Sequence, residues 1–140
     1  MGSIANLRCP KCGQFSEDGG MCMACAAVPA SSEALVEYKL LAAGADVGRP
    51  TRENAPYDLL MKGVYEWHQV QVKTAYQTKE GVRANVCKPT SNSRKFYSNK
   101  EVDFFAIVWQ TKVYLIPFKE VEGKGRINVL ADKYKKWEMA

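Results

Sequence analysis

The feature that most constrains the fold is a group of four cysteines within residues 9–25. They form two Cys-x-x-Cys pairs separated by nine residues: Cys9 with Cys12, and Cys22 with Cys25. Two such pairs supply the closed tetrahedral ligand set of a structural zinc ion. The segment has no periodic apolar pattern, so metal binding must supply its folding free energy. A redox dithiol pair and an iron–sulfur site are the alternatives, but neither explains two closely spaced pairs. We predict a small zinc ribbon or knuckle over residues 1–30.

The remaining residues, 31–140, carry the pattern of one α/β (α+β) domain with a mixed β-sheet. Apolar residues at positions 34, 35, 38, 41 and 42 follow helical spacing. Ser31 or Ser32 is expected to cap this helix after a short linker, and Gly44 is expected to end it. Strands are predicted over 45–47, 57–61, 67–73, 82–87, 104–109 and 112–116, with the last two joined as a hairpin. The segment 130–139 is either a basic helix or a frayed tail.

The positive charge of the chain is concentrated in one stretch. Between residues 74 and 100 there are six lysines and arginines against one glutamate, which equals the whole net charge of +5. Clustered cations suit a phosphate backbone, although a solvated loop is the competing interpretation. Residues 88–100 and the loop 49–54 are therefore the candidate DNA contacts, with these cationic members: Arg49, Arg52, Lys88, Arg94, Lys95 and Lys100.

The sequence shows no signal for a membrane or for export. No apolar run approaches the roughly 20 residues that a membrane span needs, and the N-terminus lacks the apolar core of a signal peptide. We therefore expect an intracellular, cytoplasmic protein that associates with DNA.

One polar constellation has the composition of a metal-dependent hydrolase. Asp58 stands near the start of one predicted strand, and Gln71-Val72-Lys73 lies in the next. If the two strands pair as a hairpin, Asp58, Gln71 and Lys73 meet at one end of the sheet. The Asp58 carboxylate, the Gln71 side-chain oxygen and the Val72 carbonyl would then suit Mg²⁺. Lys73 would orient a water molecule or stabilise charge on a phosphate. Alone this short pattern is weak, since exposed polar residues on an ordinary strand produce it too.

The surroundings of this motif resemble the PD-(D/E)xK nuclease superfamily, specifically its intron-associated homing endonuclease branch with Gln in place of the usual acid. The similarity runs from Ser32 to about Val121. Its segments are Glu33-Ala-Leu-Val, Leu40-Leu41, Gly44, Arg49-Pro50, Asn54-Ala-Pro-Tyr-Asp58-Leu-Leu, Val70-Gln-Val-Lys-Thr-Ala75, Val102-Asp-Phe-Phe-Ala-Ile-Val108 and Val113-Tyr-Leu-Ile-Pro-Phe118.

The resemblance implies a restriction-endonuclease-like core in the order α-β-β-β-α-β, and cleavage that needs Mg²⁺ or Mn²⁺. It also implies four catalytic residues: Glu33, Asp58, Gln71 and Lys73. Glu33 has the first-helix role of assisting a metal or water, with Glu37 as the reserve candidate. The cysteine module departs from the family pattern, and so does the short chain after Phe118.

We therefore expect a metal-dependent, site-specific endonuclease of the homing type that cuts double-stranded DNA as a homodimer or larger homo-oligomer. A Holliday-junction resolvase or repair nuclease of the same superfamily is the nearest alternative. A catalytically inactive DNA-binding zinc protein is the alternative from another class. Gln71 favours that last alternative because a neutral ligand binds Mg²⁺ less strongly, whereas the presence of both Asp58 and Lys73 opposes it.

Overall fold

The structure is a computed structural model that describes the backbone of residues 23–88 and 95–140, and the side chains from residue 31 onward within those ranges. The chain divides into two compact units, residues 1–31 and 32–140. The predicted zinc ligands lie outside the described side chains, although the backbone of Cys25 belongs to the first turn of a helix. The zinc module therefore stays a prediction.

The first helix, α1, spans Met23–Ala42 and ends before Gly44, whose φ of 92° lies in the left-handed region that glycine tolerates. The prediction of a linker and a serine cap before this helix is wrong, since residues 28–32 lie inside it. Ser32 is buried, and its hydroxyl oxygen lies 2.7 Å from that of Thr74. The serine is therefore part of a contact between α1 and a strand that comes much later in the sequence.

The buried face of α1 differs from the predicted apolar stripe. Val36 and Leu40 are fully buried, whereas Tyr38 is 68% exposed and Leu41 is 53% exposed. Ser32, Val36 and Leu40 repeat every four residues and so share one face of the helix. Because one member of this face is the polar Ser32, the apolar spacing of the sequence does not indicate it.

Ten strands follow α1 in the described residues. They are β1 (Val47–Gly48), β2 (Leu59–Lys62), β3 (Trp67–Thr74), β4 (Tyr76–Thr78), β5 (Gly81–Asn85), β6 (Cys87–Lys88), β7 (Lys95–Phe96), β8 (Phe104–Trp109), β9 (Lys112–Pro117) and β10 (Arg126–Asn128). A short helix, α2 (Phe118–Val121), follows β9, and a 3₁₀ helix spans Asp132–Trp137. None of the described helices has the length and apolarity of a membrane span.

The main sheet has the order β1-β2-β3-β8-β9. Strands β3 and β8 are parallel, and each of the other neighbouring pairs is antiparallel, which confirms the predicted mixed sheet. The hairpin predicted across Gln110-Thr111 is also confirmed, with Trp109 opposite Lys112 at its end.

The resemblance implied a helix between β3 and the next strand of the sheet, and this implication is wrong for the described residues. Residues 75–88 and 95–103 instead contain β4 to β7, and β5 joins β4 and β10 in a separate three-stranded sheet. Val82, Ala84 and Val86 are buried while their neighbours are more exposed. This period of two produces a half-buried strand rather than a helix.

Each face of the main sheet covers its own apolar core. One core places Val36 and Leu40 of α1 against sheet residues such as Val70 and Val72. The other places Phe105 and Ile107 of β8 against the small sheet and the C-terminal segment. Because side chains alternate along a strand, Gln71 and Lys73 of β3 lie on the opposite face from Val70 and Val72.

Candidate active site

Asp58 lies one residue before β2. At this point the pairing of β2 with β3 stops, and the edge of β3 continues without β2 beside it. The Asp58 backbone N–H donates to the carbonyl of Val70 over 2.9 Å, and the Val72 N–H donates to Asp58 Oδ2 over 2.8 Å. Backbone N–H groups of a strand point along the plane of the sheet, so the carboxylate lies at the sheet edge. The predicted hairpin of β2 and β3 thus brings Asp58 to the Gln-x-Lys segment.

Glu33 reaches the same edge from α1. Burial raises the pKa of the Glu33 carboxyl, and the neighbouring Asp58 carboxylate raises it further by charge repulsion and a shared hydrogen bond. Arg49 opposes these effects by donating to Glu33 Oε2 over 3.1 Å. Two neighbouring carboxylates repel each other unless a proton or a cation lies between them.

Arg49 holds a second acidic residue of α1 as well. Its other terminal nitrogen lies 2.8 Å from Glu37 Oε2, one helical turn beyond Glu33. A guanidinium can bind two carboxylates in this forked way because its N–H groups lie in one rigid plane. Arg49, a predicted DNA contact, therefore has two partners within the protein.

Lys73 lies on β3, opposite Ile107 of β8, and is partly buried. Burial lowers the pKa of its ammonium, whereas the negative charge of Asp58 acts in the other direction. A partly desolvated ammonium can stabilise developing negative charge more strongly than one in bulk water. Glu33 and Lys73 thus each lie near enough to Asp58 for its charge to act on them, and the catalytic roles of the three residues stay a prediction.

Gln71 and Val72 complete the predicted ligand set by position. Both lie on β3 between Val70 and Lys73, and Gln71 is partly exposed. Since the N–H of Val72 points toward Asp58, the carbonyl of the same residue points to that side of the strand too. The described structure shows no hydrogen bond of the Gln71 side chain.

The donor set fits a hard divalent cation. It offers the carboxylates of Glu33 and Asp58, the amide oxygen of Gln71 and the carbonyl of Val72. Magnesium keeps several water ligands and needs only one or two carboxylates. No group of three or more His, Cys, Asp or Glu side chains suited to a metal occurs in the described part of the chain. A magnesium site here would therefore rely on amide and backbone oxygens as well.

A groove of about 870 Å³ lies in the same unit of the chain. Its lining includes cations and amides together with one aromatic ring: Arg52, Lys88 and Lys100, Asn54 and Gln69, and Tyr97. Lys95 is exposed on β7, and Arg94 lies outside the described residues. Arg52, Lys88 and Lys100, predicted as DNA contacts from charge alone, thus share one concave surface.

Tyr97 and Glu101 also line the groove; Tyr97 belongs to the segment 88–100 expected to contact DNA, whereas Glu101 had no predicted role. Glu101 accepts a hydrogen bond from Lys88 Nζ over 2.6 Å and another from the Ser98 N–H, and the Lys88 contact lowers the pKa of its carboxyl. Tyr97 is buried within a polar, basic segment. A single tyrosine between exposed residues carries no periodic signal that could have revealed this.

The family model described as PD-(D/E)XK endonuclease matches residues 28–136. The chain belongs to the PD-(D/E)XK endonuclease family. That match includes Glu33, Asp58 and Lys73, so the candidate site lies within the family domain. The protein is a DNA endonuclease of this family.

Among solved structures, this PD-(D/E)XK endonuclease is similar to a bacterial homing endonuclease, I-Ssp6803I. The TM-score is 0.66 and the sequence identity is 16%, over 76% of this chain and 78% of the other. At that identity the likeness concerns the fold. Among curated proteins, none matches this chain.

Proposed function

We propose that this PD-(D/E)XK endonuclease is a Mg²⁺-dependent (or Mn²⁺-dependent), site-specific enzyme of the homing type that cuts double-stranded DNA. The observation that carries the proposal is the Asp58 carboxylate fixed at the open edge of β3, where its charge acts on both Glu33 and Lys73. The structural likeness to a protein named as a homing endonuclease supports the type. An inactive DNA-binding protein would have no need of an aspartate fixed by Val72 beside a partly buried lysine.

The residues divide the chemistry between them. Asp58, the Gln71 amide oxygen and the Val72 carbonyl would hold the metal ion, and Glu33 would assist the metal or the attacking water. A bound Mg²⁺ supplies Lewis-acid activation of the phosphate and of water. Lys73 stabilises the negative charge that builds on the phosphate. The water oxygen forms a bond to phosphorus, the bond from phosphorus to one deoxyribose oxygen breaks, and that oxygen takes up a proton.

The groove provides the surface for the DNA backbone. Arg52 and Lys100 are exposed along it, and Lys95 lies on the neighbouring β7. Such cations release counterions from DNA and bind all sequences alike. The amides of Asn54 and Gln69 are able to donate and accept, so they suit contacts that distinguish one DNA site from another.

Two further features belong to the proposal. The cysteines at positions 9, 12, 22 and 25 bind one structural Zn²⁺, and the protein acts inside the cell as a homodimer or larger homo-oligomer. Elemental analysis of protein purified without added metal should find about one zinc per chain, as a four-thiolate site predicts. A folded protein with free thiols and no zinc would remove this part.

The experiment that tests the active site compares paired variants. Asp58→Ala and Lys73→Ala should abolish cleavage of a random DNA library in Mg²⁺ while DNA binding is largely retained, because both residues act on the scissile phosphate. Asp46→Ala and Lys112→Ala are matched controls, since both residues are exposed and remain outside the site. Sequencing the cut ends of the library reveals the target. Near wild-type cutting by either site variant would show that the active site lies elsewhere.

A further inference from the structure

Tyr97 directly follows β7, in a segment assigned from its charge to DNA contact, yet only 9% of the residue is exposed. Its ring packs edge-on against Phe105, with the ring centroids 5.5 Å apart. The part of Tyr97 that remains accessible lines the groove. Tyr97 thus packs against the apolar core on one side and lines the proposed DNA-binding groove on the other.

Two lysine ammonium groups lie near the Tyr97 ring. Lys73 Nζ is 5.3 Å from the ring centroid and Lys88 Nζ is 5.6 Å from it. Both distances are within the range of a cation–π interaction, which strengthens where the cation is desolvated. Lys73 is the partly buried lysine of the active site, so the interaction matters most there.

The two lysines differ in their other partners. Lys88 Nζ forms an ion pair with Glu101. Within residues 31–88 and 95–140, no carboxylate lies within 4.0 Å of Lys73 Nζ. The face of the Tyr97 ring is therefore the close partner that the described structure gives to the Lys73 ammonium.

We propose that Tyr97 is a positioning residue that holds the Lys73 ammonium at the scissile phosphate by a cation–π contact. The inference rests on the proposed function, in which Lys73 stabilises charge on that phosphate. A lysine side chain is a flexible four-carbon stem, so without the ring its ammonium spreads over several rotamers. A misplaced catalytic group costs rate even when the substrate still binds.

The ring also keeps its neutral form. Burial raises the pKa of the Tyr97 phenol to about 12, and the nearby Asp58 and Glu101 carboxylates add to this effect. The phenol therefore does not become a phenolate near neutral pH. An aromatic face that stays uncharged holds Lys73 without neutralising the ammonium, which remains available to a phosphate.

The test separates the ring from the hydroxyl. Tyr97→Phe keeps the ring and Tyr97→Leu removes it, while Tyr114→Leu is the matched control, a buried tyrosine of β9 in the same core. We expect Tyr97→Leu to lower kcat for DNA cleavage about tenfold with little change in KM, as for loss of a desolvated cation–π contact. Tyr97→Phe should keep kcat within about twofold of wild type. Tyr114→Leu should lower the unfolding midpoint without lowering kcat at a temperature where it is folded.

A second measurement does not depend on cleavage. In NMR spectra of lysine-labelled protein, the ε-methylene protons of Lys73 should be shifted upfield by the ring current of Tyr97. Their signal is assigned by its loss in Lys73→Arg. The shift should persist in Tyr97→Phe and vanish in Tyr97→Leu.

The outcomes are separable. An unshifted Lys73 signal in the wild-type protein overturns the contact even if Tyr97→Leu fails to fold. Cleavage by Tyr97→Leu at the wild-type kcat, or an equal loss of kcat in Tyr97→Phe, overturns the positioning role. A wild-type protein that never cuts DNA rejects the proposed function instead, and the NMR shift then still decides whether the ring holds Lys73.

Discussion

Arg49 and Arg52 stand three residues apart in one loop but have different surroundings. The Arg49 guanidinium lies between Glu33 and Glu37, at 3.1 Å and 2.8 Å. Arg52 is exposed and lines the groove. A cation already bound to two carboxylates offers less positive charge to a phosphate than a solvated one does. The two arginines, alike in sequence, therefore differ in their capacity to bind DNA.

This difference predicts distinct salt dependences for two matched variants. Arg52→Met should reduce the slope of log Kd against log salt concentration by about one phosphate contact. Arg49→Met should change the slope less, because its guanidinium is held by Glu33 and Glu37. Titration of a labelled DNA duplex at several salt concentrations measures both slopes. Equal losses would show that Arg49 leaves its carboxylates and contacts the backbone.

At the level of elements, helix α1 illustrates how packing sets the buried face. The predicted stripe included Tyr38 and Leu41, but the structure buries Val36 and Leu40 instead. This orientation of α1 also places Glu33 at the sheet edge, since the adjacent Ser32 contacts Thr74 at the end of β3. The orientation of α1 about its axis therefore determines whether Glu33 can reach Asp58.

Two adjacent leucines of α1 test this orientation. Leu40→Ala should lower the free energy of unfolding by about 2–5 kcal/mol, because it removes a fully buried side chain from the core. Leu41→Ala should change it by no more than about 0.5 kcal/mol, since Leu41 is exposed. Urea unfolding followed by circular dichroism measures both values. A larger loss in Leu41→Ala than in Leu40→Ala would show that the predicted apolar stripe is the buried face of the helix.

For the whole molecule, the described residues hold a single Glu33/Asp58/Lys73 site. One such site hydrolyses one strand at a time, so cutting through a duplex needs a second site on the opposite strand. A dimer with closed two-fold symmetry, the commonest kind of homo-oligomer, would supply it. Assembly is therefore part of the proposed reaction.

The assembly prediction is a homodimer or larger symmetric oligomer that cuts both strands of a partly palindromic target. Light scattering measures the mass of the free protein and of its DNA complex, and a nicked-plasmid assay separates single-strand from double-strand cleavage. A strict monomer that only nicks would contradict the prediction. Strong preference for a four-way junction over a duplex would assign the protein to the junction-resolving alternative.

The local pattern of this sequence determined much of the main sheet and the position of its motif. The alternation around Gln-x-Lys, the hairpin of β8 and β9, and the glycine after α1 are all consequences of short-range chemistry. The pairing of β2 with β3 follows from their order along the chain, and it places the Asp58 carboxylate at the Val72 N–H within the Gln-x-Lys segment.

Only the tertiary structure determined which face of α1 is buried and which side chains contact Arg49 and Tyr97. It also determined that strands β4–β7 stand where a helix was expected. Each depends on contacts between residues far apart in sequence, such as Ser32 with Thr74 or Tyr97 with Lys73. A serine in an apolar face and a tyrosine in a basic segment leave no periodic signal. Their roles are set by burial and by the charges that the fold brings beside them, which a linear pattern does not contain.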